Sequence, residues 1–172
     1  MARVLVPLAQ GCEELEAVTV IDLLRRAGIE VVTAGLAEGP VRASRGTVLI
    51  PDTALDAVLD EEFDLVVLPG GLPGATHLDE DARVHRLLKR HHAEQRYVAA
   101  ICAAPKVLAN AGLLNGRSAT SYPGAVAMDE YPEVDLLDAP VVVDGKVALQ
   151  LIELLAGKAT RDDVEKALVR AV

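Results

Sequence analysis

Residues 3–34 read RVLVPLAQGCEELEAVTVIDLLRRAGIEVVTA, and this stretch decides the fold class. Arg3 to Leu8 is a short apolar run of strand length. Glu13 to Ala27 follows with apolar residues at Leu15, Val18, Ile21, Leu23 and Leu24 and with Gly28 as a stop, and Ile29 to Ala34 returns to a strand pattern. Two strands joined by a helical crossover pair in parallel, with the helix on a face of the sheet. The alternation continues: Phe63 to Leu68 predicts a strand ending at Pro69-Gly70-Gly71, Asp79 to Glu94 a helix, Tyr97 to Ile101 a strand, and the chain from Pro105 another helix. Arg42 to Pro51 predicts a hairpin beside the sheet. The expectation is an α/β protein, one domain over 1–172, with a mostly parallel sheet and helices on both faces.

The last third contains an inconsistency. Pro140 to Val143 predicts a strand, Asp144-Gly145 a tight turn, Ala148 to Ala156 a helix, and Thr160 to Ala171 a closing helix with Thr160 as N-cap and Asp162 and Asp163 in its first turn. The turn announces a returning strand, yet only Lys146 and Val147 precede the helical pattern, where about five residues are usual. The chain after Val147 is therefore on the order of ten residues shorter than this fold requires.

Composition narrows the function classes. Of 172 residues, 51% are hydrophobic and 25% charged, which suits a packed globular chain, and with aromatics at 2% the core has to be built from Val, Leu, Ala and Ile. Seventeen Lys+Arg against 26 Asp+Glu give a net charge of −9, which opposes a phosphate-backbone partner, so no nucleic-acid binding is expected. The opening MARVLVPLAQ reads as a strand and not a signal peptide. No window approaches the roughly 18 apolar residues that span a bilayer, so no membrane role is expected. Cys12 and Cys102 lie far apart without export signals, which predicts reduced thiols in a cytoplasmic protein.

The chemistry-bearing residues fall where strands end. Ala99-Ala100-Ile101-Cys102-Ala103-Ala104-Pro105 sets a cysteine at a strand-to-helix turn among small residues, with proline suited to the first helical turn. A thiol at that edge is expected to ionise below the free cysteine value of about 8.5 and to act as a nucleophile. Gly70 and Gly71 end the neighbouring strand and let backbone N–H groups approach a developing oxyanion, with Gly71 and Ala103 as the expected donors. Glu13, Glu14 and Glu16 open the first helix at the same edge, and any one of the three can turn toward Cys102. Cys12 reads as a small turn residue. His77, His85, His91 and His92 read as exposed residues of a charged helix face, and no metal-ligand spacing stands out.

Taken together, GCEELEAV, VVLPGG and AAICAAP, with SRG at 44–46 and SYPG at 121–124, resemble the ThiJ/PfpI family, in the branch that includes the parkinsonism-associated protein deglycase and its bacterial relatives. The resemblance runs over nearly the whole chain. It implies a flavodoxin-like three-layer sandwich, a homodimer, no cofactor, and a thiolate at Cys102 hydrogen-bonded by a protonated glutamate that the motif maps to Glu16. It implies a small aldehyde or a glycated molecule as substrate, through glutathione-independent glyoxalase or deglycase chemistry, or an oxidative-stress sensor or chaperone using the same cysteine. Arg45 and Arg26 resemble family arginines near the site, which the resemblance allows to be supplied across the dimer, and each reads equally as a surface charge. Three departures stand out. Ala103 occupies the place where peptidase-type members carry His, which discounts proteolysis. Tyr122 stands where many relatives have His, so it is expected to orient substrate or solvent. The Ser-Arg-Gly-Pro-Gly-type loop that the family carries after the Asp-Gly turn falls in the shortened segment.

Overall fold

The computed structural model describes residues 2–139 and 141–147. Its elements are β1 (Arg3–Leu8), α1 (Glu14–Arg26), β2 (Glu30–Gly35), β3 (Val41–Arg42), β4 (Val48–Leu49), β5 (Thr53–Ala54), β6 (Leu65–Leu68), α2 (Gly74–Glu80), α3 (Ala82–Ala93), β7 (Tyr97–Ala100), α4 (Pro105–Asn110), β8 (Ser118–Ala119) and β9 (Asp135–Leu136). Five strands form the central sheet in the order β5-β2-β1-β6-β7, parallel at every pairing. The chain winds outward from β1 through β2 and β5, then crosses back to β6 and β7 on the other side. The strand order therefore reverses between β1 and β6, and at such a point the loops leaving the carboxyl ends diverge and open a crevice.

The alternation of side chains across the sheet separates two apolar layers. Val4, Val6, Leu8, Leu65, Val67 and Ala99 point to one face and pack with Ala17 and Leu24 of α1. Leu5, Val66, Leu68, Val98 and Ala100 point to the other, which α2, α3 and α4 cover with Leu78, Val84, Leu87, Leu88, Val107 and Leu108. Buried on both faces, β1, β6 and β7 have to be apolar at consecutive positions, which is why they read in the sequence as continuous runs. The expected α/β fold with helices on both faces is the observed one. The hairpin expected over 42–51 is also present, as the antiparallel pair β3–β4.

Four expectations are corrected. The single helix over 79–94 is two helices, because Asp81 adopts extended backbone and caps α3 by accepting the Arg83 N–H at 2.9 Å. Leu15 is 73% exposed and Val18 is exposed with it, so these two do not mark the buried stripe of α1, which Ala17 and Leu24 occupy instead. None of the four histidines lies free on the surface. His91 is fully buried, and His77, His85 and His92 are half-buried, with His77 Nδ1 2.8 Å from the Gln10 carbonyl and His85 Nε2 3.0 Å from Asp79 Oδ1. Finally, Val141 to Val143 makes no strand. The Asp144 carboxylate accepts from the Ser118 N–H and from Arg117, and only after the turn does the chain meet the sheet, where the Lys146 carbonyl accepts the Val98 N–H at 3.0 Å. The helices expected over 148–156 and 160–171, and the shortened segment after Val147, lie outside the described residues. Among those described, no helix is long and apolar enough to cross a membrane.

Candidate active site

The carboxyl ends of β1, β6 and β7 lie side by side, and the turns leaving them meet over the crevice. Cys102, two residues past β7, has φ of 58°, left-handed backbone that a residue with a side chain holds only when its surroundings impose it. That conformation swings the chain abruptly from strand to α4, where Pro105 fills a first-turn position that needs no N–H partner. The Tyr122 N–H donates to the Cys102 carbonyl at 2.7 Å and fixes the turn from the far side. The side chain of Cys102 is left partly accessible.

The three acids of α1 separate by direction. The Glu13 carboxylate accepts from Ser44 Oγ at 2.7 Å, and the Glu14 carboxylate accepts from the backbone N–H groups of Arg45 and Thr47. Both acids therefore bind the tip of the β3–β4 hairpin. Burial works to raise the pKa of Glu14, but hydrogen bonds from its own N–H, Arg45 and Thr47 outweigh it and hold the group at about 2. Glu16, one turn farther along, faces the crevice. Its Oε2 accepts the Gly70 N–H at 2.8 Å, and its carboxylate lies within hydrogen-bonding reach of Cys102.

Gly70 and Gly71 are required by packing. A Cβ on Gly70 would lie 2.7 Å from Glu16 Oε2, 2.7 Å from the Ile101 carbonyl and 2.8 Å from Cys102 Cβ. Gly71 has φ of 89°, and a Cβ there would meet the Glu13 nitrogen at 2.4 Å. Side chains at these positions would push the β6 turn off the start of α1 and pull Gly71 away from the sulfur.

Burial pushes the Cys102 thiol above the ordinary cysteine value, the Glu16 carboxylate adds to the rise, and the N–H groups of Ala103 and Gly71 pull against it without reversing it. This corrects the expectation of a thiol depressed by a helix terminus. The helix is only the six-residue α4, starting three residues beyond the sulfur, while a carboxylate sits beside it. Cys12 is buried in the turn after β1, and burial followed by the nearby Glu14 pushes it to about 11, so it is an inert structural thiol.

The structure thus brings together Cys102, Glu16, Gly70, Gly71 and Ala103. Tyr122 stands next to them, 60% exposed along a groove that also includes Ala103. Arg45 enters only through its backbone N–H and its side chain is exposed at the hairpin tip. Arg26 pairs with Asp22 at the opposite end of α1, about 18 Å along the helix from Glu14, and so lies away from the site of its own chain. Sequence reading missed the clamp of Glu13 and Glu14 on residues 44–47, although the SRG tripeptide marked its place. Among the described residues no cluster of His, Cys, Asp or Glu is arranged to hold a metal ion.

Comparison with known proteins gives consistent results. The model of the DJ-1/PfpI family matches residues 2–149. Protein dj-1beta of Drosophila melanogaster is 43% identical over 182 residues, covering 97% of this chain and 96% of the relative, and a Pyrococcus abyssi protein named as a deglycase is 38% identical over 83% of this chain and 86% of its own length. The crystal structure of Drosophila DJ-1beta superposes with a TM-score of 0.92 at 40% identity, covering 98% and 97% of the two chains, and the oxidized DJ-1 of Toxoplasma gondii with 0.91 at 38%, covering 98% of each. The span aligned to dj-1beta, 182 residues, is longer than this whole 172-residue chain, so the alignment opens gaps in it.

Proposed function

We infer the function from the premise that this chain belongs to the DJ-1/PfpI family. The reading is a cofactor-independent enzyme that isomerises small 2-oxoaldehydes to 2-hydroxyacids, methylglyoxal to lactate. The observation that carries it is the Glu16 carboxylate set between the Gly70 N–H and the Cys102 thiol. A raised thiol beside a carboxylate is a nucleophile with its own base. As the Cys102 sulfur forms a bond to the aldehyde carbon, its proton passes to Glu16 and the aldehyde oxygen takes the electron pair, facing the N–H groups of Gly71 and Ala103. Glu16 returns that proton to the oxygen, giving a hemithioacetal. Glu16 then removes the hydrogen from the same carbon and delivers it to the neighbouring ketone carbon, while the ketone oxygen takes the proton of the hemithioacetal hydroxyl. A thioester results, the former aldehyde carbon oxidised and the ketone carbon reduced, and water hydrolyses it to lactate and free Cys102. No electron acceptor is required. The relative named as a deglycase supports an enzyme acting on reactive carbonyls or their adducts. Lactate formation from methylglyoxal without glutathione tests the proposal: Cys102→Ser and Glu16→Gln should each abolish it, and retained turnover in either would sink the mechanism.

A second reading is favoured by the relative whose structure is described as oxidized. Partly accessible Cys102 serves there as a redox sensor, gaining two oxygens from peroxide to become a sulfinate. Intact mass after mild peroxide, with Cys102→Ser as control, tests it. We also propose that the protein is a homodimer. Leu15 and Val18 of α1 are exposed, as are Val48 and Ile50 in and just after the hairpin whose tip Glu14 binds, apolar side chains suited to covering by a second copy.

A further inference from the structure

The groove beside Cys102 carries a charge that the carbonyl chemistry leaves unused. It runs from Ala103 and Tyr122 past Leu72 and Thr76 to Asp79 and Lys106. Asp79 is already engaged: Oδ2 accepts from Asn110 Nδ2 at 2.6 Å, and Oδ1 lies 3.0 Å from His85 Nε2. Asn110 is anchored in turn by the Tyr131 hydroxyl. Lys106 is held differently. Its ammonium stands 3.6 Å from Glu130 in a half-exposed pair, and such pairs contribute little and exchange readily for another anion. It is the one cation lining the groove among the described residues, and it stands about one helical turn from Ala103, whose N–H faces the reacting sulfur.

A substrate whose aldehyde carbon is bonded to Cys102 projects the rest of its chain along this groove. With a methyl group, as in methylglyoxal, nothing reaches Lys106. With a carboxylate two or three bonds beyond the ketone, the anion spans the turn of chain between Ala103 and Lys106. We propose that Lys106 is a specificity-determining residue that selects 2-oxoaldehydes carrying a carboxylate tail. The inference rests on the isomerase reading above and needs only its chemistry. 4,5-Dioxopentanoate and water become 2-hydroxyglutarate, the thiol adding to the aldehyde carbon, the hydrogen moving to the ketone carbon, and water releasing the thioester. The tail displaces Glu130 from Lys106 and takes no part in bond making.

The test is the ratio of kcat/KM for 4,5-dioxopentanoate to that for methylglyoxal. Lys106→Met, which keeps the aliphatic stem, should lower the ratio tenfold or more, chiefly through KM for the carboxylated substrate, and Lys106→Arg should restore most of it. Glu130→Gln, which frees the ammonium, should raise it severalfold. A ratio unchanged in Lys106→Met overturns the proposal, and a ratio that rises overturns it in favour of a groove reading cations through its acidic rim. A second readout is independent of turnover. 2-Hydroxyglutarate should slow alkylation of Cys102 by iodoacetamide in the wild type and do so at least fivefold less well in Lys106→Met, whereas equal protection in both overturns the assignment. Lys106-dependent protection without turnover of either substrate would refute the isomerase reading and leave Lys106 as the anion site. Turnover of both substrates with a ratio indifferent to Lys106 would do the reverse.

Discussion

Gly70→Ala is an informative single substitution, because it adds one methyl group between Glu16 and Cys102 without altering either side chain. Of the three atoms that the new Cβ would approach at 2.7–2.8 Å, the Ile101 carbonyl and Cys102 Cβ are fixed by β7 and by the strained turn, while Glu16 Oε2 is the end of a flexible side chain. Relief therefore goes through Glu16. Its carboxylate swings off the Gly70 N–H, losing a hydrogen bond to a charged group that contributes about 1.5–3 kcal/mol. The two immovable contacts cost a further ~1–3 kcal/mol as overpacking. A loss of about 2.5–6 kcal/mol should lower Tm by roughly 5–24 °C in a chain of this size. Displacing the base by about 1 Å should reduce turnover on the order of 100-fold. Thermal melts followed by circular dichroism, with lactate formation below the melting range, measure both. The reasoning also predicts a coupling. In a Glu16→Ala background one of the three contacts and the lost hydrogen bond are already gone, so Gly70→Ala should cost at least 1.5 kcal/mol less there than in the wild type. Additive effects of the two substitutions, or a Gly70→Ala protein with wild-type Tm and full turnover, would refute the account of how this turn and Glu16 fit together.

Other predictions follow from separate features. His91 is fully buried with Nδ1 3.2 Å from the Leu87 carbonyl and Nε2 without a partner among the described residues, and burial lowers its pKa. The unfolded chain therefore binds a proton that the folded one refuses, so stability is full above the ordinary histidine value of about 6.5 and falls below it by up to ~1.4 kcal/mol per pH unit. His91→Met should flatten that acid limb in urea titrations at pH 5 and 7.5. Gln95 has φ of 56° just past α3, so Gln95→Gly should stabilise by about 0.5–1 kcal/mol, read as a raised urea midpoint at unchanged m-value. Cys12, at about 11 and buried, should stay unmodified in peptide mapping after iodoacetamide while Cys102 is labelled, and labelling at Cys12 in the folded protein would contradict its placement. Leu15→Glu with Ile50→Glu should halve the mass measured by sedimentation if the exposed apolar surface joins two copies.

What could be read from the sequence depended on how far each feature reaches along the chain. Strands β1, β6 and β7 were legible because burial on both faces forces uninterrupted apolar runs, and α1 was legible because Gly28 ends it. The break at Asp81 was not, since a capping aspartate and a solvent-facing one look alike until the Arg83 N–H is seen to meet it. The strand-end positions of Cys102, Gly70 and Gly71 were legible as turn chemistry. The choice among Glu13, Glu14 and Glu16 was fixed by residues 31 to 54 positions away, the hairpin taking two of them and Gly70 the third. Likewise Leu15 and Val18 fit a helical stripe, but the hydrophobic pattern does not say whether the protein's own sheet covers that stripe.

The direction of the Cys102 shift bears on how the two proposed functions share one site. A thiol raised by burial and by Glu16 is a poor reservoir of thiolate, so its reactivity toward a carbonyl depends on Glu16 taking the proton while the C–S bond forms. Oxidation by peroxide has no such need for a proton acceptor in the transition state beyond forming the thiolate itself, and it responds to whatever raises or lowers that fraction. Replacing Glu16 by Gln removes the base and also removes the second contributor to the raised thiol. The two activities should therefore move apart in this one variant: lactate formation falls, while peroxide oxidation of Cys102 at pH 7 becomes faster than in the wild type. Parallel loss of both would mean that Glu16 stabilises a standing thiolate by donating its own proton, and would place the shared proton of the pair on the carboxyl group instead of on sulfur.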